Sequence, residues 1–103
     1  MGSYRGRLDI IADILHVVSG DAKKTQIMYQ ANLSYKVLQK YLAEVTGASL
    51  ICFESGKRCY VLTDKGRAFL DAYEEYSKTN RHVEKRLNDV RSKKGALEKL
   101  CSS

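Results

Sequence analysis

Hydrophobic residues near the start of the chain recur at the spacing of an amphipathic helix over residues 5–18. The inner positions of this stripe are Leu8, Ile11, Ala12, Leu15 and Val18, and Ile10, Ile14 and Val17 broaden it. The pattern predicts a first helix over Arg5–Val18 that other elements cover, followed by a turn at Gly20 and Asp21. Arg5 and Arg7 at its start could contact a phosphate or be solvated, and the sequence does not separate these alternatives.

The next stretch, Lys23–Val45, has the pattern of two short helices joined by a tight turn. Thr25 is a candidate N-cap for the first helix, and Asn32 tolerates the left-handed conformation that ends a helix. Ser34 then suits the N-cap of the second helix. Gly47 is expected to end that second helix with a positive φ.

The second of these helices has an apolar side and a polar outer side. The apolar stripe recurs at i, i+4 and i+7 and is formed by Leu38, Leu42 and Val45, with Val37 and Tyr41 widening it. The outer positions carry long side chains with hydrogen-bond donors and no acid, namely Tyr35, Lys36, Gln39 and Lys40. A helix that enters the DNA major groove needs such a side to reach phosphates and base edges. A solvated amphipathic helix has the same pattern, so the rest of the chain must decide.

Two short apolar runs, Leu50–Glu54 and Arg58–Leu62, predict the strands of a β-hairpin. If the loop is Ser55-Gly56, Cys52 and Cys59 face each other across the hairpin. We then favour two packed, reduced thiols over a strained disulfide, whereas a longer loop would shift the register and remove the pairing.

A hairpin that follows a helix-turn-helix is a wing. Lys57 and Arg58 at its tip could lie along the DNA backbone or in the minor groove, with an ordinary exposed basic turn as the alternative.

The last predicted element is one long helix that begins at the N-cap Thr63 and ends near Leu100. It spans roughly 37 residues, or about 55 Å, so we expect much of it to project from a small domain. Its apolar pattern is an unbroken heptad seam with spacings of four and three. The seam positions are Phe69, Tyr73, Tyr76, Asn80, Val83, Leu87, Val90, Lys94, Leu97 and Cys101.

This seam predicts a homodimer, because pairing its apolar residues gains several kcal/mol at ~25 cal/mol per Å2 of buried area. The predicted dimerisation residues are Tyr73, Tyr76, Asn80, Val83, Leu87, Val90 and Leu97. Polar residues in the seam, Asn80 and Lys94, reduce stability and can fix register and partner number. An antiparallel pair that overlaps near Leu87 would hold its two heads on the order of 60 Å apart, close to two turns of B-DNA. A parallel pair would bring the heads and the Cys101 thiols together.

Charge and composition limit the classes of molecule that the chain is expected to bind. The chain has 103 residues, a net charge of +6 and a pI near 9.3, which favours nucleic acid, anionic lipid or acidic proteins. No apolar run approaches the ~20 residues of a membrane span, and no signal-peptide pattern is present, so we expect a cytoplasmic protein. The three cysteines and two histidines lack metal-ligand spacing, and we find no catalytic set, phosphate loop or cofactor motif. We therefore expect no metal, no cofactor, no small-molecule substrate and no enzyme activity.

Three segments also resemble a known family. These are Lys24–Tyr35 (KTQIMYQANLSY), Lys40–Leu42 and Tyr60–Gly66 (YVLTDKG). They resemble archaeal winged-helix proteins, in particular the ten-kilodalton a-type chromatin-associated DNA-binding proteins of Sulfolobus. The resemblance implies a thermophilic archaeal source and an antiparallel coiled-coil dimer that binds double-stranded DNA with little sequence preference. The Thr46–Leu50 turn departs from the lysine-glycine-leucine turn usual in such families, which leaves the entry angle of the wing open.

Taken with the resemblance, the pattern predicts a mainly α (α+β) fold. The expected architecture is a winged helix-turn-helix head over residues 4–66, with a coiled-coil dimerisation helix over residues 67–101. The expected DNA-contacting residues are Lys23, Lys24, Ser34, Tyr35, Lys36, Gln39, Lys40, Lys57 and Arg58. The cations would hold phosphates, Tyr35 and Gln39 would reach base edges or sugars, and Ser34 would donate to a phosphate. A nucleoid-associated DNA-binding dimer is the predicted function. The alternatives are a sequence-specific regulator and a protein-interaction module on the same scaffold.

Overall fold

The structure is a computed structural model that describes residues 5–101, apart from the side chain of His82. Tyr4, the first residue of the predicted head, lies outside the described residues. The elements are α1 (Arg7–Val18), α2 (Lys24–Gln30), α3 (Tyr35–Gly47), β1 (Ile51–Glu54), β2 (Cys59–Leu62) and α4 (Asp64–Cys101). The predicted order of three helices, a hairpin and a long helix is therefore confirmed. The first helix is two residues shorter than predicted, because Gly6 is its N-cap and Asp9 accepts a hydrogen bond from the Gly6 backbone N–H at 2.9 Å.

The start of α2 also differs from the prediction. Thr25 lies inside the helix, and the N-cap is Lys23, whose side chain makes no capping bond. The preceding residue, Ala22, forms an antiparallel bridge with Tyr60, with N···O distances of 3.1 and 2.8 Å. This bridge fixes the extended backbone at Ala22, so the helix can begin directly after it. The Thr25 N-cap prediction was wrong because nothing in the local sequence reveals this long-range bridge.

Helices α2 and α3 end in the same way. After α2, Asn32 has a φ of 55° and the Leu33 N–H donates to the Met28 carbonyl at 2.9 Å. After α3, Ser49 has a φ of 63° and the Leu50 N–H donates to the Val45 carbonyl at 3.0 Å. Each of these hydrogen bonds joins an N–H to the carbonyl five residues earlier, and this geometry requires a left-handed residue just before the donor.

Of the two helix ends, the Asn32 prediction is confirmed and the Gly47 prediction was wrong. The left-handed position falls on Ser49, two residues further on, because Ala48 continues the turn with a φ of −83°. The predicted Ser34 N-cap is confirmed, since its Oγ accepts from the Val37 N–H at 3.3 Å.

The core lies between the three short helices, the hairpin and the start of α4. Its largest fully buried side chains are Ile14, Leu15, Val18, Ile27, Leu38, Val45 and Ile51. Leu70 of α4 belongs to the same cluster, and Phe69 and Tyr73 pack against it. Two predicted inner positions lie at the surface instead, since Leu8 is 41% exposed and Val37 is 36% exposed. The apolar stripes of α1 and α3 are therefore narrower than the sequence pattern indicates.

The hairpin has a longer loop than Ser55-Gly56. Glu54 pairs with Cys59 and Cys52 pairs with Val61, which leaves a four-residue loop, 55–58. Of the two alternatives left open by the sequence, the longer loop is the one observed, so Cys52 does not face Cys59, and both thiols are free, with Cys59 buried and Cys52 exposed. Arg58, the last residue of this loop, adopts the left-handed conformation with a φ of 54°.

Helix α4 begins where the chain leaves the hairpin. The Thr63 Oγ1 accepts from the Gly66 N–H at 3.0 Å, which confirms the predicted N-cap, and it lies 2.6 Å from the Ser49 carbonyl. A Cβ at Gly66 would lie 2.1 Å from the Leu50 carbonyl oxygen. The first turn of α4 thus packs directly on the turn after α3, and only glycine allows that approach.

The chain divides into two compact units, one that ends at Tyr73 and one that begins at Glu74. In the first unit the Tyr73 hydroxyl donates to Asp9, and this bond together with the Gly6 N–H holds the pKa of Asp9 below its usual value. The second unit is helix α4 from Glu74 onward. The domain boundary predicted between residues 66 and 67 stays a prediction.

Within residues 5–101, no helix has the length and apolar character needed to cross a membrane.

Candidate nucleic-acid interface

The start of α3 brings several predicted contact residues together. The Lys24 ammonium lies 4.9 Å from the centre of the Tyr35 ring, so the start of α2 meets the start of α3. The Gln39 Nε2 donates to the Tyr35 hydroxyl at 3.2 Å, one helical turn along. Ser34 uses its oxygen as the N-cap acceptor, and its hydroxyl proton remains available for an acceptor such as a phosphate. These side chains form one polar surface.

Lysines occupy the outer side of α3. Lys36 and Lys40 are exposed, and the Lys40 ammonium lies 5.5 Å from the centre of the neighbouring Tyr41 ring. Glu44 is the one acid of α3, and it forms an ion pair with Arg7 of α1. The outer side of the helix therefore carries an uncompensated positive charge.

The other predicted cations lie at the start of α2 and at the tip of the wing. Lys23 is exposed at the N-cap of α2. Lys57 and Arg58 are exposed in the hairpin loop, where Lys57 lies 3.5 Å from the carboxylate of Asp21. The charge of Asp21, followed by that of Glu54, raises the pKa of Lys57. A phosphate at the wing tip would thus share Lys57 with Asp21.

The first two arginines have structural partners. Arg5 forms an ion pair with Asp13 at 2.8 Å and donates to the carbonyl oxygens of Ala31 and Asn32. It thereby joins α1 to the end of α2. Arg7 pairs with Glu44, as described above. Both arginines thus have partners within the protein, so simple solvation does not describe them, and contact with a phosphate stays a prediction.

Sequence reasoning missed a trough beside α3, which has a volume of about 300 Å3. We call it the α3 trough, and its lining residues are Lys24, Gln39, Leu42, Ala43, Thr46, Gly47 and Tyr60. Only Lys24 and Gln39 were predicted as contact residues. The positions of Gln39, Ala43 and Thr46 at i, i+4 and i+7 were the signal that could have revealed it. Tyr60 could not have been found this way, because the long-range bridge to Ala22 brings it there.

Potential metal ligands are scattered over the described part of the chain. Among residues 5–81 and 83–101, no group of three His, Cys, Asp or Glu side chains could hold a metal ion.

Comparisons with known proteins agree with this geometry. A family model described as winged helix-turn-helix matches residues 4–81. Among solved structures, the crystal structure of Sso10a-2, a DNA-binding protein from Sulfolobus solfataricus, is similar with a TM-score of 0.79 and 26% identity. That match covers 85% of this chain and 95% of the other.

Two uncharacterized proteins of Methanocaldococcus jannaschii are also similar in sequence. One is 38% identical over 72 residues, which cover 69% of this chain and 33% of the relative. The other is 33% identical over 64 residues, which cover 61% of this chain and 64% of the relative. The chain thus spans a third of the length of the first relative and just under two thirds of the second. The resemblance to archaeal winged-helix DNA-binding proteins is confirmed, and the chain belongs to the winged helix-turn-helix family.

Proposed function

We propose that this protein binds double-stranded DNA through α3 and the wing, and that it does so chiefly through the phosphate backbone. The observation that carries the proposal is the outer side of α3, which presents Lys36 and Lys40 while Glu44 is neutralised by Arg7. The similarity to Sso10a-2, a DNA-binding protein, supports it. We further propose that the protein is associated with the chromosome in the cytoplasm.

The contacts have distinct roles in this proposal. Phosphates are held by the exposed or half-exposed cations Lys23, Lys24, Lys36, Lys40, Lys57 and Arg58. Tyr35 and Gln39 face base edges or sugars, and Ser34 donates its free proton to a phosphate. Because each neutralised phosphate releases counterions, six such contacts give a slope of about −5 in a plot of log affinity against log salt.

The proposed backbone contacts can be tested by charge reversal. We expect the double variant Lys36→Glu, Lys40→Glu to lose at least about 100-fold in affinity for a random duplex, measured by fluorescence anisotropy. The matched control is Lys78→Glu with Lys85→Glu, which makes the same change of charge in the second unit. Equal affinity of both double variants would contradict the proposed interface. Such a result would favour a protein-interaction module or a different DNA-binding face.

Specificity separates a packaging protein from a regulator. We propose the packaging role, in which random duplexes and genomic fragments bind with similar affinity. A fragment bound about 1,000-fold more tightly than random DNA would instead identify a regulator.

We also propose that two copies pair through the second unit. Its seam residues Val83, Leu87, Val90 and Leu97 are each at least half exposed, with exposed fractions of 51%, 50%, 63% and 64%. These side chains recur at spacings of four, three and seven and form one stripe, which a second copy would cover. Tyr76, Asn80 and Lys94 continue the stripe. Tyr73, by contrast, already packs against the core of the first unit.

The polar seam positions favour an antiparallel pair. In a parallel pair in register, each seam residue meets its own copy, so Lys94 would face Lys94. In an antiparallel pair the two Lys94 side chains lie apart, and each can pack its aliphatic stem on an apolar residue of the other chain. The antiparallel orientation therefore avoids a repulsive contact that the parallel one cannot avoid.

Orientation can be tested with the C-terminal cysteine. In a Cys52→Ser background, Cys101 is the one exposed thiol among residues 5–101. A parallel dimer brings the two Cys101 thiols together, so oxidation would cross-link it. We expect a dimer in analytical ultracentrifugation that stays uncross-linked on a non-reducing gel. A cross-linked dimer would contradict the antiparallel orientation, and a monomer would contradict dimerisation.

A further inference from the structure

The α3 trough is lined by both polar and apolar side chains. Three of its lining residues, Ala43, Thr46 and Gly47, have small side chains or none. Lys24 and Tyr60 bring long side chains from α2 and β2 to the same lining. Tyr60 is held in place by its backbone bridge to Ala22 and by an edge-to-face contact with Phe53, with ring centres 5.1 Å apart. The trough is therefore a preformed feature.

Gln39 gives the trough a directed pair of hydrogen-bonding groups. Its Nε2 carries two protons, and one of them is donated to the Tyr35 hydroxyl at 3.2 Å. The second proton and the Oε1 remain available. A glutamine amide with one donor and one acceptor matches adenine, whose N7 accepts and whose N6 donates in the major groove. Guanine presents two acceptors there, N7 and O6, so it cannot satisfy both groups.

Methyl groups lie along the same side of α3. Ala43 is four residues after Gln39, a distance of about 6 Å along the helix axis, and Thr46 follows in the same trough. Small apolar side chains are the protein groups that contact the 5-methyl group of thymine in the major groove. The spacing of about 6 Å corresponds to roughly two steps of B-DNA, in which base pairs are about 3.4 Å apart.

We propose that the α3 trough reads A·T base pairs in the major groove and gives the protein a moderate preference for A·T-rich DNA. Gln39 pairs with adenine N6 and N7, and Ala43 with Thr46 contacts a thymine methyl one or two steps away. Tyr35 positions the Gln39 amide. The inference rests on the proposed DNA binding through α3, and it adds a modest selection of sites to a binding mode that is chiefly electrostatic.

The first test compares three duplexes of equal length with the full chain, by fluorescence anisotropy at one salt concentration. One duplex is A·T-rich, one is G·C-rich, and one replaces guanine by inosine. An inosine·cytosine pair presents the minor groove of A·T and the major groove of G·C. We expect the A·T-rich duplex to bind about tenfold more tightly than the other two. Tight binding of the inosine duplex would overturn the inference, because the preference would then come from the minor groove.

The second test removes one group at a time. Deoxyuridine in place of thymidine deletes the 5-methyl groups, and we expect affinity for the A·T-rich duplex to fall about fourfold for each contacted methyl. Gln39→Ala should weaken binding to the A·T-rich duplex more than binding to the G·C-rich duplex, and so lower the preference from about tenfold to the roughly fourfold that one thymine methyl supplies. The matched control, Lys36→Ala, should weaken binding to all three duplexes by the same factor. A Gln39→Ala variant that keeps the full preference would overturn the assignment.

The outcomes separate this inference from the function on which it rests. Salt-dependent binding with equal affinity for all three duplexes would overturn only the reading of A·T pairs. Absence of binding to every duplex would overturn both this inference and the proposed DNA binding.

Discussion

The two units of the chain bury their apolar residues in different ways. In the first unit, side chains such as Ile14, Leu38 and Ile51 are almost completely buried by the unit itself. In the second unit, Val83 and Leu87 remain half exposed although they recur as regularly as the core residues. Regular apolar spacing therefore has two meanings in one chain. In the first unit it marks an internal core where several elements meet. In the second unit it marks an exposed stripe, which we propose is covered by a second copy.

The largest expected effect tests the second unit. Leu87→Glu should raise the dimer dissociation constant about 1,000-fold, because each dimer loses two buried leucines that contribute about 2 kcal/mol apiece. Sedimentation velocity over a concentration series measures this change. The control Leu100→Glu alters a more exposed leucine outside the seam and should leave the constant nearly unchanged. Equal effects of the two substitutions would show that the seam is not the dimer surface.

The next effect tests the close packing of the first unit. Gly66→Ala should lower the free energy of unfolding by about 3 kcal/mol, since the new Cβ would lie 2.1 Å from the Leu50 carbonyl oxygen. Urea denaturation followed by circular dichroism gives the value.

The second unit supplies the matched glycine. A methyl group added at Gly95 would meet no atom within 4 Å, so Gly95→Ala should stabilise its helix by about 0.5–1 kcal/mol. If both substitutions had the same sign, the contrast between a packed and an open helix would fail.

A smaller effect tests the helix caps. Ser34→Ala should cost about 1 kcal/mol, because Ser34 accepts from the Val37 N–H, whereas Thr25→Ala should be nearly neutral. Thermal unfolding of the two variants measures the difference. A larger loss of stability for Thr25→Ala than for Ser34→Ala would indicate that Thr25 is the N-cap of α2, as the sequence predicts, and would contradict the structure.

The smallest effect concerns acid stability. The folded pKa of Asp9 is lowered by the Tyr73 hydroxyl and then by the Gly6 N–H. The resulting stabilisation is therefore present above the unfolded pKa of about 4 and is lost as the pH falls through the folded value. Tyr73→Phe should remove under about 1 kcal/mol at pH 7 and less at pH 2. If the wild-type chain and Tyr73→Phe differed in unfolding free energy by the same amount at pH 7 and at pH 2, this linkage would be contradicted.

The features that sequence predicted well are those set by local rules. The helices, the caps at Ser34 and Thr63, and the left-handed Asn32 follow from spacing and short side chains. The features that it missed depend on distant contacts. The bridge between Ala22 and Tyr60 moved the start of α2. The loop length of the hairpin, which the sequence left open, places Cys52 opposite Val61.

The candidate site shows the same division. The lysines of α3 follow from the amphipathic pattern, because an outer position on a helix can be read from spacing alone. The α3 side of the trough could have been predicted from the spacing of Gln39, Ala43 and Thr46, but Tyr60 could not, since its place in the lining depends on how the hairpin packs beside α3. Arg5 illustrates the converse, because a basic residue near a predicted interface turned out to hold Asp13 and two carbonyl groups.

The most direct test of the proposed function is the salt dependence of DNA binding by the wild-type chain and by Leu87→Glu. If each first unit neutralises about six phosphates, the slope of log affinity against log salt is about −5 for the monomeric variant. The slope is about twice as steep for a dimer in which the first units of both copies bind one duplex. A flat response in both proteins would contradict DNA binding through the lysines of α3. Equal, steep slopes would keep the interface and contradict the role of the second unit in joining two copies.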